Sequence, residues 1–109
     1  MKIVIAGKQI DLGDALRQHV TERLEAGVGK YFDSAIEANV VISREGHMIH
    51  TECAVHVGAG ISALANGEDT DVYASTEAAI VRLEKQLRRD KRKRRNHHAG
   101  PRVAADSIG

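Results

Sequence analysis

Apolar residues recur along this chain with two periods, and the switches between them mark out its elements. From Lys2 to Ile10, Ile3 and Ile5 share one face of an extended stretch, and Gly7 ends the alternation, so a strand is predicted. Leu12, Leu16, Val20, Leu24 and Val28 then step by four, the spacing of a helix from Gly13 to about Gly29 whose far end is closed by Tyr31 and Phe32. Gly13 or Asp11 must cap it. The period then returns to two. Ala38, Val40 and Ile42 alternate with Asn39, Val41 and Ser43 in a strand from Glu37 to Glu45. Thr51, Cys53, Val55 and Val57 alternate with His50, Glu52, Ala54 and His56 in one from Ile49 to Val57. A short strand follows from Ile61 to Ala65. Glu45-Gly46-His47, Gly58-Ala59-Gly60 and Asn66-Gly67 are the expected turns.

The stretch from Asp71 to Arg95 is a single predicted helix with two working faces. Tyr73, Thr76, Ile80, Leu83 and Leu87 form an apolar stripe at spacings of three and four. Arg82, Lys85, Arg89, Arg92 and Lys93 fall on the opposite side when each residue turns by about 100°. Asp69, Thr70 or Asp71 can cap its start, where the helix dipole favours negative charge. Seven of the eight residues from Arg88 to Arg95 are Lys or Arg. The apolar stripe stops at Leu87 while the basic run continues for about two more turns. The first half of the helix is thus expected to dock on a core, and the second to project as a cationic rod.

The element order is β-α-β-β-β-α. Each strand has one apolar face, which predicts an α+β domain over residues 1–95: one four-stranded sheet with both helices packed on one side and water on the other. Residues 96–109, with the only proline and no apolar period, read as a flexible tail or the start of a linker.

A chain of 109 residues suits one compact domain. Its single cysteine excludes an internal disulfide and fits a reducing cytoplasm. No signal peptide and no membrane-length apolar run is present, so no membrane partner is expected. The net charge of +1 conceals an asymmetry. Residues 1–80 carry 6 Lys/Arg against 12 Asp/Glu, a balance of −6, whereas residues 81–109 carry 10 against 3, a balance of +7. A charge run is usually a solvated face, but one this one-sided points to a polyanion.

Candidate catalysis is thin. The ten glycines form no phosphate-cradling fingerprint. Cys53 sits mid-strand on the predicted inner face, where a buried structural thiol is expected rather than a nucleophile. His50, Glu52 and His56 share a strand face, but the two histidines would lie ~20 Å apart, too far for one metal ion. No enzyme, metal or cofactor is therefore expected. Tyr31, Phe32 and Tyr73 are the only aromatics, and all three are assigned to core-facing positions. The sheet has none to stack bases, and no two glycines are three apart as a GxxG clamp requires. What remains is recognition of a folded RNA by phosphate charge and shape, through helices. His19, Arg23 and Lys30 line one edge of the first helix, with Arg17 on the other. If the helices lie side by side, that edge and the basic face of the second helix would form one cationic surface.

The run DVYASTEAAIVRLEKQLRRDKRK, Asp71 to Lys93, closely resembles the end of the ribosome hibernation-promoting factor family, also described as ribosome-associated inhibitors or sigma-54 modulation proteins. The opening MKIVIAGKQIDLGDALRQHVTERLEAGVGKYF and the middle HTECAVHVGAGISALANGEDTDVY resemble the corresponding parts of that family, so the resemblance covers about residues 1–95. Where the family often has Ala-Ile-Asp after Tyr-Ala, this chain has Ser75-Thr76-Glu77, which keeps a carboxylate at Glu77. Where it often has Thr, Ser or Pro at the start of the first helix, this chain has Gly13, implying a looser cap.

The resemblance implies a β-α-β-β-β-α domain bound to 16S rRNA in the small ribosomal subunit of the 70S ribosome. It would lie in the channel between head and body, over the mRNA path and the A- and P-site anticodon regions, and would block translation in stress or stationary phase by occupancy alone. The residues matching the family's rRNA-binding surfaces are Arg23, Lys30, Arg82, Lys85, Arg88, Arg89, Lys91 and Arg92. Long members carry a C-terminal domain that dimerises ribosomes; residues 96–109 resemble the start of the linker to it. The isolated chain is expected to be monomeric. The alternatives are a general structured-RNA-binding module and an interaction module for an acidic protein.

Overall fold

The computed structural model describes the backbone of residues 1–32, 35–58 and 60–99, and the side chains of these up to residue 91, apart from 35 and 36. The order is β1 (Lys2–Lys8), α1 (Asp14–Gly29), β2 (Ala35–Glu45), β3 (Met48–Val57), β4 (Ile61–Asp69) and α2 (Val72–Ala99). The strands form one sheet in the order β1-β2-β3-β4. β1 runs parallel to β2 across the α1 connection, with Ile3 beside Ala38 and Ile5 beside Val40. β2–β3 and β3–β4 are antiparallel, and their register lines up Val40, Cys53 and Ala65.

That register puts every inward-facing strand residue on one side. Ala38, Val40, Ile42, Ile49, Cys53, Val55, Val57, Ala63 and Ala65 are buried there, under Leu16, Val20, Leu24 and Val28 of α1 and Ala79, Ile80, Leu83 and Leu87 of α2. Both helices therefore cover one face of the sheet, as the alternation predicts. Burial pushes the Cys53 thiol up to about 12, with neighbouring Glu52 adding to the shift, so the group stays a neutral core thiol.

Several features depart from the sequence expectation. β1 stops at Lys8 rather than Ile10, because Gln9 adopts a left-handed backbone (φ 62°) that turns the chain toward α1. β4 does not end at Asn66-Gly67 but runs on to Asp69. Gly67 is there for close approach rather than for a turn: a Cβ on it would lie 2.5 Å from the Ser75 carbonyl and 2.6 Å from the Ala79 nitrogen. Tyr73 lies off the core stripe, 43% exposed, with its ring 5.3 Å from that of His19 on α1. Ser75 is buried in its stead. The Thr51 hydroxyl lies 2.8 Å from Ser75 Oγ, which in turn reaches the Ile49 and Gly67 carbonyls at 3.0 and 3.1 Å, so the buried hydroxyls are satisfied.

The helix starts follow their capping chemistry. Gly13 precedes α1 without any side-chain cap. Asp71 caps α2, its carboxylate accepting the Ala74 N–H at 2.9 Å, and the Asp69 carboxylate accepts the Asp71 N–H at 3.0 Å. α2 continues beyond Arg95 to Ala99; the remainder of the expected tail, 100–109, lies outside the described residues. No helix among the described residues is long and apolar enough to cross a membrane.

Candidate nucleic-acid interface

With Ile80, Leu83 and Leu87 turned into the core, the rest of α2 has three sides, and each carries different chemistry. The outward side presents Lys85, Arg88 and Arg89, all exposed. They occupy positions i, i+3 and i+4 of one stripe. Arg92 takes the i+7 position of the same register, and its side chain lies outside the described residues. Lys91, half-buried, begins to turn back toward the α1 side.

The second side of α2 faces β4, the last strand of the sheet. Gln86 pairs with the open backbone of Leu64: the Leu64 N–H donates to Gln86 Oε1 at 3.2 Å, and Gln86 Nε2 donates to the Leu64 carbonyl at 2.5 Å. One turn earlier, Arg82 Nη1 donates to the Asn66 carbonyl at 2.6 Å. These contacts occupy an edge that would otherwise offer unpaired N–H and C=O groups. Arg82 is steered by a neutral carbonyl, and no carboxylate among the described residues forms an ion pair with it on the exposed surface. The opposite edge has a similar tie, from Arg17 Nη1 to the Ile5 carbonyl at 2.9 Å.

The third side faces α1, where the two helices do lie side by side. His19 meets Tyr73, and four residues on, Arg23 meets both Glu77 and Glu84. Arg23 Nε and Nη2 donate to the two oxygens of Glu77 at 3.1 and 2.9 Å, and Nη1 donates to Glu84 Oε2. The bonds to Glu84 and then Glu77 raise the guanidinium pKa still further above its ordinary value. Another turn along α1, Gly27 is buried, and a Cβ on it would overlap the Glu84 carboxylate. The side chain of Glu84 is only 18% exposed, so its place depends on that missing methyl group.

His19 and Arg23 of the expected edge thus face α2, but the expected single cationic surface is interrupted. Arg23 and its two carboxylates together carry −1, a negative cluster at the seam between the two helices. Lys30 is exposed at the end of α1, with Nζ 6.0 Å from the centre of the Tyr31 ring. Glu84 does not stand out in the sequence, and the pair Gly27 and Gly29 suggests there only a frayed last turn, whereas the helix runs to Gly29 with Gly27 buried. Their signal is positional only: Glu77 and Glu84 are seven apart on the flank beside the core stripe, and Arg23 and Gly27 are four apart on the facing edge. Among the described residues no group of three or more His, Cys, Asp or Glu could hold a metal.

Comparison with known proteins places the chain in a family. A ribosome hibernation promotion factor of Rhizobium meliloti (strain 1021) is 35% identical over 100 residues, which cover 92% of this chain and 53% of the relative. The factor of Bradyrhizobium diazoefficiens is 36% identical, with 96% of this chain and 55% of the relative covered. The chain thus spans about half the length of these curated relatives. A ribosome hibernation promoting factor of Escherichia coli (strain K12) is 33% identical, covering 89% of this chain and 100% of that protein. The solved N-terminal domain of Protein Y from Thermus thermophilus superposes with a TM-score of 0.74 at 33% identity, covering 83% of this chain and 99% of that one. Residues 3–95 match the family described as sigma 54 modulation protein / S30EA ribosomal protein, and the chain belongs to that family.

Proposed function

We propose that this chain is a ribosome hibernation module that binds 16S rRNA of the small subunit through the outer side of α2. In this reading it occupies the decoding-site channel and excludes mRNA and tRNA. The observation that carries it is the exposed stripe of Lys85, Arg88 and Arg89 on a helix whose opposite side is locked into the core by Ile80, Leu83 and Leu87. Such a helix presents cations from a backbone already ordered, so little backbone entropy is lost when it meets a phosphate backbone of fixed shape. Arg82 and Lys30 flank the stripe, Lys91 and Arg92 extend it, and Arg23 stands behind it. No bond is made or broken; inhibition follows from occupancy, so affinity and inhibition must move together.

The double change Lys85→Glu and Arg89→Glu tests this. It is expected to leave the melting temperature nearly unchanged, since exposed substitutions shift stability by about 0.5 kcal/mol or less. Co-sedimentation with small subunits and inhibition of cell-free translation should both be lost. For five to seven phosphate contacts, wild-type affinity should fall with salt at a log–log slope of about −4 to −6. A folded variant that inhibits at the wild-type concentration would show that this side of α2 is not the binding surface.

A further inference from the structure

Glu84 lies one helical turn before Arg88, in the i,i+4 order in which a carboxylate and a following cation pair best on a helix. That pair is not made. Glu84 turns the other way, across the seam to Arg23, and Arg88 is left exposed with no ion-pair partner among the described residues. Two features of α1 fix this choice. Arg23 commits all three guanidinium nitrogens to the seam, the fork on Glu77 and Nη1 on Glu84. Gly27 supplies the space into which the Glu84 carboxylate folds, space that any side chain would fill. Fully engaged and three-quarters covered, Arg23 is poorly placed to reach a phosphate without abandoning both carboxylates.

We propose that Arg23 and Gly27 are positioning residues for RNA binding: they hold Glu84 away from Arg88, so that Arg88 meets the RNA uncompensated. Glu77 belongs to the same device, because its bidentate grip orients the guanidinium so that Nη1 points at Glu84. The inference rests on the cationic stripe being the RNA-binding surface, and it gives α1 a role there without a phosphate contact of its own.

The test is a mutant cycle, read as small-subunit affinity at several salt concentrations with thermal melting alongside. Arg23→Gln frees Glu84 to pair with Arg88 and should weaken binding about tenfold, a coupling typical of residues in one charge network. Gly27→Ala changes no charge and suits a helix, yet it displaces Glu84 and should weaken binding in the same direction. Both should flatten the log–log salt slope by about 0.7 to 0.9, the loss of one phosphate contact. Glu84→Gln should bind severalfold more tightly, and adding Arg23→Gln to it should cost less than about twofold, because the carboxylate to be held is gone. An equal cost of Arg23→Gln in both backgrounds would make Arg23 a direct RNA contact and overturn the proposal, as would wild-type binding by folded Gly27→Ala. Wild-type binding by the Lys85→Glu, Arg89→Glu protein would instead remove the reading on which the proposal stands.

Discussion

On one flank, α2 is tied to the backbone of β4 by the Gln86 amide and the Arg82 guanidinium; on the other, Glu77 and Glu84 tie it to a single guanidinium of α1. Both flanks fix the rotation of the same helix, but they leave opposite residues of charge. A backbone carbonyl directs Arg82 without cancelling its charge. Carboxylates overcompensate Arg23, so that cluster is negative. The cationic potential of α2 is therefore focused on its outer side, which narrows the directions from which a polyanion can approach. Backbone ties can hold a functional cation in place and keep its charge available; ion pairs hold the frame at the expense of local charge.

The largest expected effect comes from the core under both flanks, where the two ties cease to matter separately. Leu83→Ala removes a fully buried side chain and should cost about 2–5 kcal/mol in urea unfolding. Gly67→Ala should cost about 1–3 kcal/mol by pushing α2 off β4, since the added Cβ would meet backbone atoms of Ser75 and Ala79, which have no rotamer to escape into. A Gly67→Ala protein as stable as wild type would show that the helix-to-strand approach has slack and that the polar ties alone set it.

The layout of this helix was largely legible in the sequence, and its exceptions share a cause. Period-two and period-four apolar spacing fixed the element order, the inner face and the stripe Thr76, Ile80, Leu83 and Leu87, because burial is what those periods encode. Tyr73 leaves the core because a stripe predicts the angle around a helix but not where the neighbouring helix stops; Tyr73 sits at its margin, against His19 instead of the sheet. Asn-Gly usually marks a turn, and only the packed helix reveals the other use of a missing Cβ at Gly67. The cationic stripe followed from composition and angle. The carboxylate seam behind it did not, since an arginine and two glutamates separated by more than fifty residues meet only once both helices are on the same sheet face.

A smaller effect is expected from the β4 flank alone. Gln86→Ala leaves the Leu64 N–H and carbonyl to water, and should cost about 0.5–1.5 kcal/mol, the net worth of ordinary hydrogen bonds. Because those partners are neutral, the loss should be the same at low and high salt. The uncovered edge should also increase concentration-dependent self-association, measurable by light scattering. A loss that shrinks with salt would mean that Gln86 acts by placing Arg82 rather than by pairing with the strand.

The smallest effect on stability is expected from the α1 flank. Arg23 and Glu77 are exposed enough for water to screen most of their attraction, while Glu84 is better covered. Together they should contribute no more than about 1 kcal/mol at low salt, the usual range for pairs near a surface. Arg23→Gln should therefore lower the urea midpoint only slightly at 0.01 M salt. At 1 M salt the Debye length falls to about 3 Å, and most of that small difference should disappear while the Gln86→Ala difference persists. The contrast is the sharpest separation of the flanks, because one measurement on two proteins assigns each tie its physical origin. It also separates frame from function: a residue worth so little to folding, yet needed for binding, earns its place through the charge it redirects. If Arg23→Gln instead unfolds the domain at several kcal/mol lower stability at both salts, the seam is part of the core support, and its influence on RNA binding would have to be measured through Gly27→Ala and Glu84→Gln.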